Sequence, residues 1–138
     1  MTNVSMFTWT VRVYYEDTDT GGVVYYANYL KFMERARTEW LRSLGFEQDQ
    51  LIRDAGIIFA VRSVEVDYLR PARFNDALTV TAEVVHNGGA SITFRQEVRR
   101  GDEVLCRGKV KIASLDAQTL RPKPAPAAIV AALEQQYA

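Results

Sequence analysis

The 138-residue chain is 48% hydrophobic and 25% charged, with 17 basic residues balancing 17 acidic ones. This is an ordinary globular composition with length for one domain, and a chain of this size buries roughly two thirds of its unfolded surface without staples. Zero formal charge argues against a broad nucleic-acid footprint. A single cysteine, Cys106, excludes an intrachain disulfide, and His86 as the only histidine leaves too few ligands for a His/Cys zinc site.

Met1 to Thr10 carries neither a basic nor an apolar leader segment, and no stretch approaches the roughly 20 apolar residues of a spanning helix. The cytoplasm is the expected address. Phe7 to Tyr15 is aromatic and β-branched, with Val11, Val13 and Tyr15 alternating with Arg12 and Tyr14, so a strand is expected there. Glu16 to Gly22 (E-D-T-D-T-G-G) has the residues of a turn.

From Asn28 the period changes. Tyr29, Phe32, Met33, Ala36, Trp40, Leu41 and Leu44 follow the i, i+3, i+4, i+7 rule, which predicts one long amphipathic helix over Asn28–Leu44. Asn28 suits the N-cap, although the helix can begin a turn earlier, and Gly45 suits the C′ stop. Gln48 to Ala55 predicts a short second helix ending near Gly56. Alternation then returns around Val64–Tyr68, Leu78–Val84, Ile92–Arg99 and Val104–Ile112. The breaks at Pro71–Asp76, Asn87-Gly88-Gly89 and Gly101-Asp102 read as hairpin connections between antiparallel strands. A terminal helix carrying Ala127, Ala128, Ile129, Val130 and Leu133 follows Pro124. The order strand, long helix, four long strands predicts a two-layer α+β domain over residues 1–138, its sheet curled around the helix.

Chemistry concentrates in Tyr14-Tyr-Glu-Asp-Thr-Asp-Thr-Gly-Gly-Val-Val-Tyr-Tyr-Ala-Asn-Tyr29. Asp17 and Asp19 stand between a strand end and a helix start, where side chains can face a cleft. Gly21-Gly22 lets backbone approach a ligand closely. The helix entrance offers unpaired N–H groups and the positive dipole end, which would polarise a carbonyl beside a carboxylate able to attack it or activate water. As a bare spacing, D-x-D before a helix is more often capping and turn chemistry. The calcium-loop pattern D-x-[DN]-x-[DN]-G-x5-E is not met. There is no G-x-S-x-G nucleophile elbow.

The run Val11 to Tyr29, with Glu34-Arg-Ala-Arg-Thr-Glu39, Asp67-Tyr-Leu-Arg-Pro-Ala-Arg73 and Arg121-Pro-Lys, closely resembles the hotdog-fold 4-hydroxybenzoyl-CoA thioesterase family. The likeness is greatest to its Tol-Pal-associated acyl-CoA thioesterase branch. That resemblance implies a hotdog fold and hydrolysis of acyl-CoA, with CoA as part of the substrate and no separate cofactor or metal. It implies Asp19 as the catalytic carboxylate, the Tyr26 backbone N–H as the group polarising the thioester carbonyl, and Tyr15 as an assisting residue. It also implies a homodimer or homotetramer with its sites between subunits, and a peripheral association with cell-envelope proteins. The branch commonly carries His where this chain has Tyr26, so an imidazole mechanism is unavailable here, while the backbone role does not depend on the side chain.

Within the motif, Gly22, Val23 and Asn28 are expected at the substrate. Glu34 matches an acidic position that meets the substrate ring, against the plainer reading of a surface charge paired with Arg37 at i,i+3. Phe59, Val61 and Arg62 are expected on a strand edge facing the pocket, against plain core packing. Arg62, Arg70 and Arg73 can serve CoA phosphates or remain solvated surface. Cys106 reads as a small buried hydrophobe and His86 as a turn-flanking surface residue. The rival functions are a hotdog hydratase or dehydratase, which would need a catalytic histidine, and a non-catalytic module binding acyl groups or proteins.

Overall fold

The computed structural model describes residues 6–137, with side chains described through 132; Met1–Ser5 and Ala138 lie outside the described residues, as does the side chain of Leu133. The elements in chain order are β1 (Phe7–Arg12), a 3-10 turn (Tyr15–Asp17), α1 (Tyr26–Ser43), α2 (Gln48–Ala55), β2 (Ile57–Tyr68), β3 (Ala77–Asn87), β4 (Ser91–Arg100), β5 (Glu103–Asp116) and α3 (Ala127–Tyr137). The strands form one antiparallel sheet in the order β1-β3-β4-β5-β2. This is the expected α+β arrangement of a single sheet around one long helix.

Periodicity decides the packing. Tyr29, Phe32, Met33, Ala36, Trp40 and Leu41 of α1 are all buried, the face that the 3.6-residue pattern predicts. They meet Leu78, Val80 and Ala82 of β3, Phe94 and Val98 of β4, and Cys106 and Val110 of β5, which alternate toward the helix. Each such large apolar side chain contributes roughly 1.5–3 kcal/mol on full burial. The edge-on pair Trp40–Phe94, ring centroids 5.1 Å apart, fixes the far end of the helix on the sheet.

Two boundaries differ from expectation, each through a partner elsewhere in the chain. β1 ends at Arg12 rather than Tyr15, because Val13 leaves the sheet to pair with the β2–β3 connection: its N–H donates to Asp76 O (3.0 Å) and its carbonyl accepts from Asn75 N–H (2.9 Å). The chain then tightens into the 3-10 turn, with Tyr14 N–H donating to Asp17 Oδ2 (2.9 Å). α1 begins at Tyr26, so Asn28 lies in its first turn instead of at the cap. At the other end the expected glycine stop is present: Gly45 has φ 94°, with Gly45 N–H donating to Arg42 O (2.9 Å) and Phe46 N–H to Leu41 O (3.2 Å), a Schellman closure.

The β3–β4 ladder skips between the pairs Val80–Val98 and Glu83–Arg95. Side chains fill the interval. Thr81 Oγ1 accepts from Glu97 N–H (2.8 Å), and the buried Gln96 amide donates to Thr81 O (3.1 Å) and to Met33 O of α1 (3.0 Å). Gln96 therefore pins helix to sheet through its polar atoms. By contrast, Ser114 Oγ is buried without a partner among the described residues. Removing an unsatisfied hydroxyl relieves its desolvation penalty. Ser114→Ala is accordingly expected to leave stability unchanged or to raise it by up to about 1 kcal/mol in urea unfolding.

Candidate active site

The acidic loop is a small hairpin folded against the helix entrance. Asp19 N–H donates to Val23 O (2.9 Å), Gly22 N–H to Asp19 O (3.0 Å), and Thr18 pairs with Val24. Asp19 Oδ1 accepts Gly21 N–H (2.8 Å), and Oδ2 has no partner among the described residues. Gly22 has φ 80°, a left-handed conformation that suits glycine. A Cβ at Gly21 would stand 3.2 Å from Asp19 Oδ1, so the pair of glycines lets the carboxylate fold over its own turn.

Two bonds tie this hairpin to α1, and a third ties it to the β2–β3 connection. Asp17 O accepts Tyr25 N–H (2.9 Å) and the Asn28 side-chain amide (2.9 Å), and Val24 N–H donates to Ala72 O (2.8 Å). The Asn28 side chain is thus a buried tether between helix and acidic loop, a role its residue type allowed but its position alone did not reveal. Tyr25 precedes the helix without a side-chain cap, and the Tyr26 N–H meets no acceptor among the described residues. An open N–H at the positive end of an 18-residue helix is therefore held beside a loop bearing a solvent-facing carboxylate.

The second wall is the Pro71–Asp76 connection. Arg73 pairs with Val23, and Ala72 N–H donates to the buried Tyr29 hydroxyl (2.9 Å). Asp76 braces this connection by accepting Arg73 N–H (2.9 Å) and Arg100 Nη1 (2.7 Å). Partial burial opposes ionisation of Asp76. The Arg73 N–H and the Arg100 guanidinium outweigh it and hold the carboxyl below its ordinary value. A carboxyl lowered in the folded state stabilises it above the unfolded value near pH 4, and that contribution is lost as pH falls through the folded value. Arg100→Met should move the acid-unfolding midpoint, followed by circular dichroism, to higher pH.

Tyr15 is 76% exposed, its ring stacked on Phe74 at 3.9 Å at the rim of the loop. Tyr26 meets Tyr68 of β2 edge-on at 6.0 Å. Glu34, Phe59 and Val61 come together further along α1, lining a cavity of about 280 Å³ between helix and sheet. The expected Glu34–Arg37 surface pair does not form. Thr38 Oγ1 donates to Glu34 Oε2 (2.8 Å), while Arg37 turns inward and donates to Gln96 Oε1 (2.9 Å). Arg62 is the bulged residue of β2, between the pairs Val61–Ile112 and Ser63–Lys111. Arg70 pairs with Glu103 (3.3 Å). His86 pairs in register with Thr93, and Thr93 with Lys111, on the sheet face away from α1. Cys106 is buried, and burial pushes its thiol up to about 12, so it is a packing residue and not a nucleophile.

An antiparallel sheet curled about one long helix, with an acidic loop at the helix entrance, is a hotdog-fold protein. Residues 21–107 match the family model described as the thioesterase superfamily, and the chain belongs to that family. It is 44% identical to the acyl-CoA thioesterase YbgC of Haemophilus influenzae over 91% of this chain and 93% of that protein. It is 41% identical to the acyl-CoA thioester hydrolase YbgC of Escherichia coli O6:H1 over 96% of this chain and 99% of that one. A crystal structure described as a probable thioesterase from Bartonella henselae superposes with TM-score 0.83 at 35% identity, covering 88% of this chain and all of that one.

Proposed function

We propose that this chain hydrolyses acyl-CoA thioesters to a free acid and CoA, as its curated relatives are named for doing. The observation that carries the reading is the open Tyr26 N–H, held by Asn28 and Tyr25 against the loop that presents Asp19. A thioester carbonyl at the helix entrance accepts the Tyr26 N–H, and the oxyanion that develops there is stabilised by that donor and by the helix dipole. In one route the Asp19 carboxylate attacks the carbonyl carbon, CoA leaves as the thiolate, and water hydrolyses the mixed anhydride. In the other, Asp19 takes a proton from the water that attacks. Gly22 and Val23 leave room for the thioester, and Tyr15 flanks it. Glu34, Phe59 and Val61 line the acyl group's path, with Arg62 beside it. No cofactor is needed beyond the substrate's own CoA.

The working unit in this reading is a homodimer, or a tetramer of two dimers, with its sites between subunits. Two features support it. β2 is a 12-residue edge strand with one side unpaired, and an edge of that length requires covering. Its helix-facing residues Val61, Val64 and Tyr68 are exposed, as are Tyr26 and Leu30 opposite them on α1, an apolar strip a second copy would roof. No helix among the described residues is long and apolar enough to cross a membrane. The proposed setting is the cytoplasm, with peripheral contact to cell-envelope proteins suggested by the likeness to the Tol-Pal-associated branch.

Steady-state rates across an acyl-CoA panel, from acetyl to palmitoyl with benzoyl added, test the activity. Saturable binding with no turnover of any member would instead establish a non-catalytic acyl-binding module. Single-turnover hydrolysis in oxygen-18 water separates the two routes, because label retained in the Asp19 carboxylate excludes the pure general-base path.

A further inference from the structure

The apolar strip continues into the cavity. On α1, Tyr26, Leu30, Glu34 and Arg37 succeed one another along one face at helical spacing. Opposite them the helix-facing residues of β2 run the other way, from Tyr68 beside Tyr26 to Val61 and Phe59 beside Glu34 and Arg37. Helix and edge strand therefore bound one groove, leading from the Tyr26 N–H to the cavity. The residues at its two ends lie about 16 Å apart along the helix at roughly 1.5 Å per residue.

The deep walls of the cavity are apolar, with Trp40, Phe59, Ile92, Phe94 and Ile112, while Glu34, Thr38 and Gln48 add polar groups to the lining. A space of about 280 Å³ exceeds the roughly 150 Å³ that admits a benzene molecule. Among the described residues, the one cation in this lining is Arg37. Arg37 is half-buried, and desolvation pulls its guanidinium down to about 10, with the Glu34 charge opposing. It has no carboxylate partner within 4.0 Å among the described residues. Of its five N–H donors, one is engaged by Gln96 Oε1 and the others meet no acceptor among the described residues. Gln96 cannot turn to offer more, because its own amide N–H groups are held by Met33 O and Thr81 O. Glu34 sits at the solvent rim, bonded to Thr38; its charge partly offsets the desolvation of Arg37 but makes no direct ion pair with it. Apart from Ser114 Oγ, no unpartnered side-chain N or O atom is sealed from solvent among the described residues, so the remaining Arg37 donors are open to an entering group, and a carboxylate meets the guanidinium fork with two parallel bonds.

We propose that Arg37 is a specificity-determining residue that receives a carboxylate at the far end of the acyl group. The preferred substrates would then be medium-length acyl-CoA thioesters carrying a terminal carboxylate. This rests on the thioesterase reading above. The groove takes the apolar chain, and the Arg37 fork takes its anionic end.

The test compares suberoyl-CoA with octanoyl-CoA and sebacoyl-CoA with decanoyl-CoA, on wild type, Arg37→Met and Arg37→Lys. Wild type is expected to show kcat/KM for each carboxylated member at least equal to that of its plain partner. Arg37→Met should lower the carboxylated members by about 10- to 100-fold, chiefly in KM, as for a lost hydrogen bond to a charged group. The plain acyl-CoAs should fall clearly less than the carboxylated ones, since they lose only the wall contact and the Gln96 bond that both series share. Arg37→Lys should restore part of the preference. An equal fall in both series would mean that Arg37 serves only to hold Gln96, and would overturn the proposal. Wild type rejecting the carboxylated chains would overturn it without any variant. So would free suberate inhibiting no better than octanoate, a measurement that stands even if Arg37→Met fails to fold. Hydrolysis of octanoyl-CoA alongside either result leaves the thioesterase reading intact, whereas no hydrolysis of any acyl-CoA removes both.

Discussion

Asp19→Asn is expected to lower acyl-CoA turnover by about 10²–10⁴-fold, the usual contribution of a positioned acid, base or nucleophile, without disturbing the fold. The substitution is unusually clean here. Asp19 is exposed, so no buried charge is removed. Its Oδ1 accepts the Gly21 N–H at 2.8 Å, and an asparagine oxygen can accept the same bond, so the turn over Gly21-Gly22 survives. What disappears is the negative charge and, with it, both attack on the carbonyl and proton abstraction from water. Steady-state kinetics beside a thermal melt read the result directly. A loss smaller than about tenfold in a folded variant would remove Asp19 from the chemistry.

Val64→Glu should act on assembly. Val64 faces inward from the unpaired edge strand and is 39% exposed, in the middle of the strip that a second copy would cover. In a single chain the new carboxylate points into water at little cost. In the proposed dimer it becomes an uncompensated buried charge, which costs about 3–5 kcal/mol and weakens association by roughly 10²-fold or more. Analytical ultracentrifugation should show the mass of one chain, with turnover lost alongside it and secondary structure retained. A variant that sediments like the wild-type oligomer would place the subunit boundary elsewhere.

The helix and the strands were legible in the sequence because each depends on a local period. Tyr29 to Leu41 fall on one stripe whatever lies beyond them, and the buried alternation of β3 and β5 follows from period two. The misplaced boundaries come from partners distant in sequence. Val13 reads as the next residue of a strand, yet its backbone groups belong to Asn75 and Asp76. Asn28 has a capping side chain but uses it within the first turn of the helix, on Asp17. In the site the contrast is sharper. The D-x-D spacing of Asp17 and Asp19 indicates turn chemistry, which the structure also shows, and the catalytic assignment of Asp19 rests on the family likeness. Arg37 lies among charged neighbours in E-R-A-R-T-E and reads as one more surface charge. Only its partner Gln96, 59 residues away, draws it inward, and no local pattern encodes such a pair.

That partner also governs the mechanics of the site. Gln96 holds a carbonyl of α1, a carbonyl of β3 and the Arg37 side chain at once, so the helix can neither roll nor slip a turn on the sheet without breaking buried bonds. β2 has only β5 beside it. The helix is therefore the fixed jaw of the groove and β2 the compliant one. Any adjustment to a bulkier acyl group then falls on an edge strand whose far side, in the proposed assembly, is the seam with the next subunit.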